Sequence, residues 1–216
     1  MDLYDLSHTL AADYLAQYEY PWQALDGIGA LVLDLGAKLG DDYTEVSPSV
    51  WVHKTAVVAP TAYLGAPCII GARTEVRHCA FIREFVLVGA DCVVGNSVEL
   101  KNAILFDGVQ VPHFNYVGDS ILGYKSHLGA GSVTSNFKSD ASLITIRNGE
   151  EKIHTGMQKI GALVGDLVEV GCNSVLNPGT VVGKNTTIYP TSCVRGVVPG
   201  GYIWKNGGVL VKKEAR

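Results

Sequence analysis

Charged residues are scarce in this chain. Aspartate, glutamate, lysine and arginine make up 18% of its 216 residues, whereas about 25% is usual in soluble domains. The apolar fraction of 47% excludes a disordered chain, which would be polar and strongly charged. The formal net charge of −4 disfavours a nucleic-acid-binding protein, because such proteins need a basic surface to hold phosphates.

Long apolar runs and a basic amino-terminal region are also missing. No stretch approaches the roughly 18 consecutive apolar residues of a membrane span. Asp2 and Asp5 stand near the start without a basic region, so we expect no signal peptide. The five cysteines are odd in number and lack framework or CxxC spacing, which favours reduced thiols in a cytoplasmic protein and suggests neither a redox pair nor a metal site.

Glycine, in contrast, is abundant, and aliphatic residues recur every six positions. The 25 glycines are about 12% of the chain, against about 7% on average. Ten successive positions of one frame are aliphatic: Val46, Val52, Val58, Leu64, Ile70, Val76, Ile82, Val88, Val94 and Leu100. The frame slips by one residue at Leu105 and again at Leu122, and it resumes from Val164 to Val194. Four residues after each aliphatic position stands a small or β-branched residue, including Cys68 and Cys92.

This period predicts a triangular parallel β-helix. Side chains alternate along a strand, so each short strand points one large and one small residue inward. Glycine often follows the large residue, where we expect it to permit a tight turn that a Cβ would hinder. Three such strands form one coil, and coils stack at about 4.8 Å. An α-helix is excluded because its 3.6-residue period does not keep a six-residue repeat on one face.

Three segments lie outside the repeat. The amino-terminal residues have helical spacing and are predicted to cover the open edge of the first coil. Asn148-Gly149 and Asn206-Gly207 each predict the turn of a hairpin. The predicted organisation is a helical cap (1–45), a β-helix (46–199) with an inserted hairpin (138–158), and a C-terminal hairpin or tail (200–216).

Polar residues concentrate where the frame slips. Lys101, His113, Tyr116, His127 and Asn136 fall on or near outward positions of successive coils. Regular stacking requires neither the slip nor the cluster, so this stretch is a candidate functional site.

A cation lies one coil upstream of this cluster. Arg83 precedes Lys101 by one coil, and the two cations should stack on one face and could hold a phosphate together. Alternatively, they pair with Glu84 and Glu99 as a solvated charged surface.

Two motifs resemble a known family. PHFNYVGDSILG, followed by LGAGSVTSNF, resembles the acetyltransferase domain of the bacterial bifunctional N-acetylglucosamine-1-phosphate uridyltransferases, which are hexapeptide-repeat acyltransferases. KIGALVGD at 159–166 is similar to the KxGAxxGD element of short hexapeptide proteins and archaeal sugar-phosphate nucleotidylyltransferases, which also carry a hairpin before it. The resemblance covers about residues 64–195 and implies a left-handed winding and a homotrimer with sites between neighbouring β-helices.

The resemblance also implies a reaction. It is the transfer of an acetyl group from acetyl-CoA, the co-substrate, to an amino-sugar phosphate such as glucosamine 1-phosphate, in the pathway to UDP-N-acetylglucosamine. The implied roles are general base (His113), sugar and phosphate binding (Arg83, Lys101, Tyr116, His127 and Lys159) and acetyl-CoA binding (Ala130, Asn136, Cys172 and Pro190), with no metal. A histidine suits the role of base because its ordinary pKa near 6.5 lets it accept a proton at cellular pH.

Several alternatives remain open. A catalytically silent hexapeptide protein that binds a sugar nucleotide or a partner enzyme is favoured by the altered signature Asn136-Phe137. The inserted hairpin could fold over the pocket or obstruct it, and His127 could join a pocket or pack on Tyr124. A γ-type carbonic anhydrase would need histidines at close spacing, which the chain lacks. No glycine-rich strand-turn element suggests a nucleotidylyltransferase at the amino terminus.

Overall fold

The computed structural model describes residues 2–214, and its strands form a three-sided parallel solenoid. Strands are numbered along the chain. The first face contains β2 (Val50–His53), β5 (Cys68–Ile70), β8 (Val86–Val88), β17 (Ala162–Val164), β20 (Thr180–Val182) and β23 (Val197–Val198). The second contains β3 (Val57–Val58), β6 (Glu75–Val76), β9 (Val93–Asn96), β11 (Gln110–His113), β13 (His127–Leu128), β18 (Glu169–Val170), β21 (Thr187–Ile188) and β24 (Tyr202–Lys205). The third contains β4 (Tyr63–Leu64), β7 (Phe81–Ile82), β14 (Val133–Thr134), β19 (Val175–Leu176) and β22 (Cys193–Val194).

Two longer strands bend around the edge between the third and first faces. β10 (Glu99–Leu105) pairs with both β7 and β8, and β12 (Tyr116–Leu122) pairs with both β14 and β17. All of these pairings are parallel and in register. The predicted parallel β-helix with triangular coils is therefore confirmed.

The coil length changes where the six-residue frame slips. Ile70 pairs with Val88, which lies 18 residues further on. Val88 then pairs with Leu105, and Leu105 with Leu122, at a separation of only 17 residues. These aliphatic side chains are fully buried. The slip is therefore a shortened turn that leaves the interior stack unbroken.

The glycines after the large inward residues act through the neighbouring coil. Gly95 has no left-handed φ, so conformational freedom is not what it provides. A Cβ on Gly95 would stand 1.6 Å from the carbonyl oxygen of Pro112 on the next coil. The left-handed turn positions instead carry mostly other residues, such as Arg73, Phe85 and Asp91. We expected glycine at these positions because it permits a tight turn, and this reason was wrong. Glycine is required because the neighbouring coil comes too close to leave room for a side chain.

The amino-terminal segment is helical but does not close the end of the solenoid. It contains 3-10 turns at Leu6–His8 and Pro21–Gly27 and helices α1 (Ala12–Leu15) and α2 (Ile28–Gly36). The α2 helix packs against β5, β8 and β10, and so lies along the first face. Its Ile28 and Val32 are buried, and the ring of Phe85 lies against Gly29. This apolar side covers a face of the β-helix, which corrects the predicted cap.

The edge of the first coil is covered by a strand instead. β1 (Tyr43–Ser47) pairs antiparallel with β2. Val46 belongs to this strand and is exposed, so the inward stack that we predicted from Val46 begins one repeat later, at Val52. An antiparallel strand satisfies the free backbone groups that an open first coil would present.

The two hairpins occupy the predicted places. β15 (Thr145–Asn148) and β16 (Glu151–His154) pair antiparallel on either side of Gly149, which has a φ of 61°. At the carboxyl end, β24 pairs with β25 (Val209–Lys212) around Gly207 and continues the second face by pairing with β21. In the described part of the chain, no helix has the length and apolar character to cross a membrane.

The stacking of coils at Gly95 gives a stability prediction. We expect Gly95→Ala to lower the free energy of unfolding by about 1–3 kcal/mol, because the added methyl group must push the Pro112 backbone away. Urea denaturation followed by circular dichroism measures this change. Gly40→Ala is the control, since a Cβ there meets no atom within 4 Å and should change stability by less than about 0.5 kcal/mol. Equal stability of the two variants would contradict this account of the repeat glycines.

Candidate functional site

Four of the predicted site residues follow one another along one edge of the three-sided solenoid, which we also call the prism. At the turn between the second and third faces, the Gly131 N–H donates to the His113 carbonyl at 3.1 Å. One coil further, the Asn173 N–H donates to the Ala130 carbonyl at 2.8 Å, and the Thr191 N–H then donates to the Cys172 carbonyl at 2.8 Å. Pro190 directly precedes Thr191. We call the line of His113, Ala130, Cys172 and Pro190 the His113 edge.

Asn115 holds the turn that presents His113. The His113 N–H donates to Asn115 Oδ1 at 3.2 Å, and the Asn115 amide donates to the carbonyls of Gly129 and Ser132 at 2.9 and 3.1 Å. Asn115 is buried, whereas His113 is exposed. The His113 imidazole has no hydrogen-bond partner within the residues described. Its backbone is thus fixed while its ring is free to meet a ligand.

A second polar group lies on a different edge, between the third and first faces. Asp119 is only 3% exposed and has a left-handed φ of 46°, which aspartate and asparagine tolerate best. Its Oδ1 accepts from Lys101 Nζ at 3.0 Å and from Asn102 Nδ2 at 2.9 Å. Asn136 Nδ2 donates to Asp119 Oδ2 and, at 3.1 Å, to the Tyr116 hydroxyl. We call these five residues the Asp119 cluster.

The electrostatics of the Asp119 cluster keep Tyr116 protonated. Burial, together with the negative charges of Asp119 and Glu99, raises the pKa of the Tyr116 hydroxyl. The hydroxyl oxygen accepts from Asn136, and the described residues offer its hydrogen no acceptor. Tyr116 is therefore positioned as a hydrogen-bond donor to a ligand.

Lys159 and Lys101 line one cavity beside this cluster. The cavity has a volume of about 450 Å³, and its walls come from the solenoid, the amino-terminal segment and the base of the inserted hairpin. They are formed by Leu25, Asp26, Phe85, Lys101, Asn102, Asp119, Gly156, Met157, Gln158 and Lys159. The hairpin base thus forms part of a pocket wall.

Arg83 does not join this cavity. Its guanidinium lies 3.2 Å from Glu99 and 3.7 Å from Glu84. The hydrogen bond with Glu99 and the charge of Glu84 raise the pKa of Arg83. Arg83 and Lys101 occupy neighbouring coils as predicted, but Arg83 forms the solvated ion pairs of the alternative interpretation, and Lys101 pairs with Asp119 instead.

His127 and Asn136 lie apart from the groups to which we assigned them. His127 Nδ1 lies 2.8 Å from Glu169 Oε2 on the second face, and the Tyr124 ring stacks on His8, not on His127. Asn136 belongs to the Asp119 cluster, away from Ala130, Cys172 and Pro190. Asn136 follows β14, the strand of the third face. It therefore lies at the edge between the third and first faces, whereas Ala130 lies at the edge between the second and third.

Neither thiols nor metal-ligand clusters add to the site. Cys68 and Cys92 are buried, as predicted, and burial raises the pKa of each thiol to about 12. All five cysteines are free. Across residues 2–214, no group of three or more histidine, cysteine, aspartate or glutamate side chains is placed to hold a metal ion.

Three residues that organise the site were not predicted from the sequence. Asp119, Asn102 and Asn115 carry most of its hydrogen bonds. Asn102 and Asp119 lie at the shortened turns, so the frame slips themselves were a usable signal. No sequence signal indicated that Leu25 and Asp26 line the cavity, because both belong to a segment outside the repeat.

Known proteins are similar to this chain. The family model described as GMPPB C-terminal domain matches residues 67–155. A bifunctional sugar-1-phosphate nucleotidylyltransferase/acetyltransferase of Sulfurisphaera tokodaii is 26% identical over 219 residues, which is 95% of this chain and 55% of that protein. The bifunctional protein GlmU of Methanococcus vannielii is 30% identical over 136 residues, which is 62% of this chain and 33% of that protein.

The chain is similar to the acetyltransferase part of these bifunctional proteins, as its motifs predict. It spans about half the length of such relatives, 55% in one case and 48% in another. Among solved structures, the perosamine N-acetyltransferase of Caulobacter crescentus, in complex with CoA and GDP-perosamine, is 18% identical with a TM-score of 0.39. That likeness covers 76% of this chain and 56% of the other.

Asp119 is expected to stabilise the edge on which it lies. Asp119→Asn keeps a residue that tolerates the left-handed φ but removes the charge that holds Lys101. Because Asp119 is buried and Lys101 is 18% exposed, we expect a loss of about 1–3 kcal/mol in the free energy of unfolding. Urea denaturation measures this loss of stability. The double variant Asp119→Asn, Lys101→Met should recover part of the stability, because it leaves no unpaired lysine charge at this edge.

The control is an exposed pair of the same charge type. Lys38 Nζ and Asp34 Oδ2 lie 2.6 Å apart at the carboxyl end of α2, and the two side chains are 68% and 59% exposed. Asp34→Asn should cost less than about 0.5 kcal/mol. If Asp119→Asn is as mild as Asp34→Asn, the Asp119 cluster does not stabilise this edge.

Proposed function

We propose that this chain is an acyl-CoA-dependent N-acetyltransferase that acts on an amino-sugar phosphate. One observation carries the proposal: His113 shares one edge with Ala130, Cys172 and Pro190, three of the four residues that the resemblance associates with acetyl-CoA. The name of the relative aligned over 95% of the chain, a nucleotidylyltransferase/acetyltransferase, supports the same reaction. The thiols are all free, which suits the cytoplasmic location that such an enzyme would have.

In this reaction His113 acts as the general base. The amine nitrogen of the sugar attacks the carbonyl carbon of the thioester, and the carbon–sulfur bond breaks as the amide bond forms. His113 takes the proton from the attacking nitrogen, and the departing thiolate of CoA is protonated in turn. The His113 imidazole is exposed and has no hydrogen-bond partner in the described residues, so a ring nitrogen is accessible to accept that proton.

The sugar-phosphate side of the site would come from the Asp119 edge of another copy. Lys101, Lys159 and Tyr116 lie on a different edge from His113 in the same chain. A homotrimer of parallel β-helices would bring unlike edges of neighbouring copies together, and a glucosamine 1-phosphate-like acceptor would lie between them. Tyr63, Phe81 and Phe114 are large apolar side chains exposed on or beside the third face, and they suit such an interface.

A second function is favoured by the ion pairs. Asp119 holds Lys101, and Glu99 holds Arg83, so two of the cations expected to bind phosphate already have carboxylate partners. This arrangement fits a catalytically silent hexapeptide protein that binds a sugar nucleotide or a partner enzyme. The absence of turnover with acetyl-CoA and a panel of amino-sugar phosphates, together with tight binding of a sugar nucleotide, would favour it.

The role of His113 is tested by substitution. We expect His113→Ala to lower kcat by about 10²- to 10⁴-fold, the usual contribution of a general base. Release of the CoA thiol in the presence of amino-sugar phosphates measures the rate. His53→Ala is the matched control, because the His53 ring lies against Thr55 and Tyr43 on the first face, outside the site described. Unchanged thiol release by His113→Ala would exclude it as the base.

The shared site is tested by mixing two inactive variants. His113→Ala and Lys159→Ala damage different edges, and Lys159 has no ion-pair partner in the part of the chain described. If each site takes His113 from one copy and Lys159 from the next, an equal co-refolded mixture should regain about a quarter of the wild-type activity. If the mixture stays inactive although each variant assembles normally, the site does not lie between copies.

A further inference from the structure

The inserted hairpin covers a second cavity on the last coils. Ile144 and Ile146, on the side of the hairpin that faces the solenoid, are each 1% exposed. A Cβ on Gly179 would lie 2.7 Å from Ile144, and one on Gly196 would lie 2.7 Å from the Arg147 carbonyl oxygen. The hairpin is therefore closely packed on these two turns. The cavity beside this contact has a volume of about 360 Å³, within the range of small-molecule sites.

The walls of this cavity carry basic side chains and no acidic ones. They include Lys138, Arg147, Lys152, His154 and Arg195. The other lining residues are Ile144, Thr145, Pro178 and Gly196, so the described lining contains neither aspartate nor glutamate. This is a local excess of positive charge in a chain whose formal net charge is −4.

The arginines show that ion pairs within residues 2–214 do not compensate this excess of positive charge. The structure describes five arginines. Three of them pair with carboxylates: Arg73 with Asp91 at 2.6 Å, Arg77 with Glu75 at 2.9 Å and Arg83 with Glu99 at 3.2 Å. The two without an ion pair in the described structure, Arg147 and Arg195, both line this cavity.

The register of the hairpin places two of these positive charges next to each other. Arg147 stands directly opposite Lys152 in the antiparallel pair of β15 and β16. Like charges at directly opposed positions of a sheet are destabilising. Lys138 has a partner, but that partner is the exposed Asp140 at 3.7 Å, which offsets little charge. A bound anion would relieve this repulsion.

We infer that this cavity binds the diphosphate group of a small molecule. Arginine and lysine are the side chains that bind phosphate oxygens best, and arginine does so through two parallel hydrogen bonds. A diphosphate presents two adjacent phosphate groups, each negatively charged at pH 7, so it can accept hydrogen bonds from several of the four cations Lys138, Arg147, Lys152 and Arg195 at once. A diphosphate belongs both to free nucleotides and to coenzyme A, and the experiment separates these two sources.

The site differs from the acetyl-CoA residues predicted by resemblance. Pro178 and Arg195 lie at turns between the third and first faces, whereas Cys172 and Pro190 lie at turns between the second and third. It also does not depend on the proposed transferase function, because binding is measured here without turnover. A chain that proves inactive as an acetyltransferase can still bind diphosphate at this cavity.

Calorimetric titration of the intact chain with inorganic pyrophosphate at low ionic strength tests the inference. We expect saturable binding that Arg147→Ala and Arg195→Ala each weaken about tenfold or more, the usual effect of losing a charge-assisted hydrogen bond. Arg77→Ala is the matched control, because this arginine is paired on another part of the solenoid and should leave binding unchanged. No saturable pyrophosphate binding, or equal binding by all three variants, would overturn the inference.

ADP and coenzyme A then identify the source of the diphosphate. If coenzyme A displaces pyrophosphate and needs Arg147 and Arg195 as well, the site holds the diphosphate of the acyl donor. If ADP binds there and coenzyme A does not displace it, the site belongs to a separate nucleotide. Both results support the diphosphate site.

Reversing the charge of Arg147 tests the site through thermal stability as well as through binding affinity. Arg147→Glu places an acid opposite Lys152, so we expect the unfolding temperature to rise while pyrophosphate binding is lost. Circular dichroism confirms that the variant is folded. Pyrophosphate binding retained by Arg147→Glu would contradict the assignment of this residue.

Discussion

The in-register stacking of coils is the constraint on which the rest of this structure depends. Each inward aliphatic side chain lies on the equivalent one of the next coil, from Val52 through Ile70, Val88 and Leu105. The spacing that makes this contact also brings backbones so close that Gly95 cannot carry a Cβ. Because the interior is filled with side chains, polar chemistry is confined to the outer surface. The edges of the prism are where such chemistry appears.

Two edges of the solenoid differ in character because their turns present different side chains. The edge of His113 carries a free imidazole and turns defined by backbone hydrogen bonds. The edge of Asp119 carries a buried carboxylate that collects amide and ammonium groups. Shortened coils bring Asn102 and Asp119 into left-handed turns, and this is where the polar cluster forms. Irregularity in the repeat and the candidate site thus coincide.

The amino-terminal segment and the inserted hairpin, which lie outside the repeat, form cavities against the surface of the solenoid. The amino-terminal segment supplies Leu25 and Asp26, and the hairpin base supplies Gln158 and Lys159, to the cavity beside Asp119. The same hairpin, packed through Ile144 and Ile146, forms the basic cavity on the last coils. A bare β-helix has flat faces, so both cavities exist because of these additions. The shape of both cavities therefore depends on the additions more than on the solenoid.

The amino-acid sequence by itself determined the β-helix, its frame slips and its two hairpins, because each follows from short-range periodicity or turn chemistry. It also indicated Lys101, His113 and Tyr116 as outward residues. Only the tertiary structure decided that Asn136 joins Asp119, that Arg83 pairs with Glu99, and that α2 covers a face. These contacts join residues a coil or more apart, and their partners depend on how coils and appended segments pack in space. Local pattern carries no information about that packing.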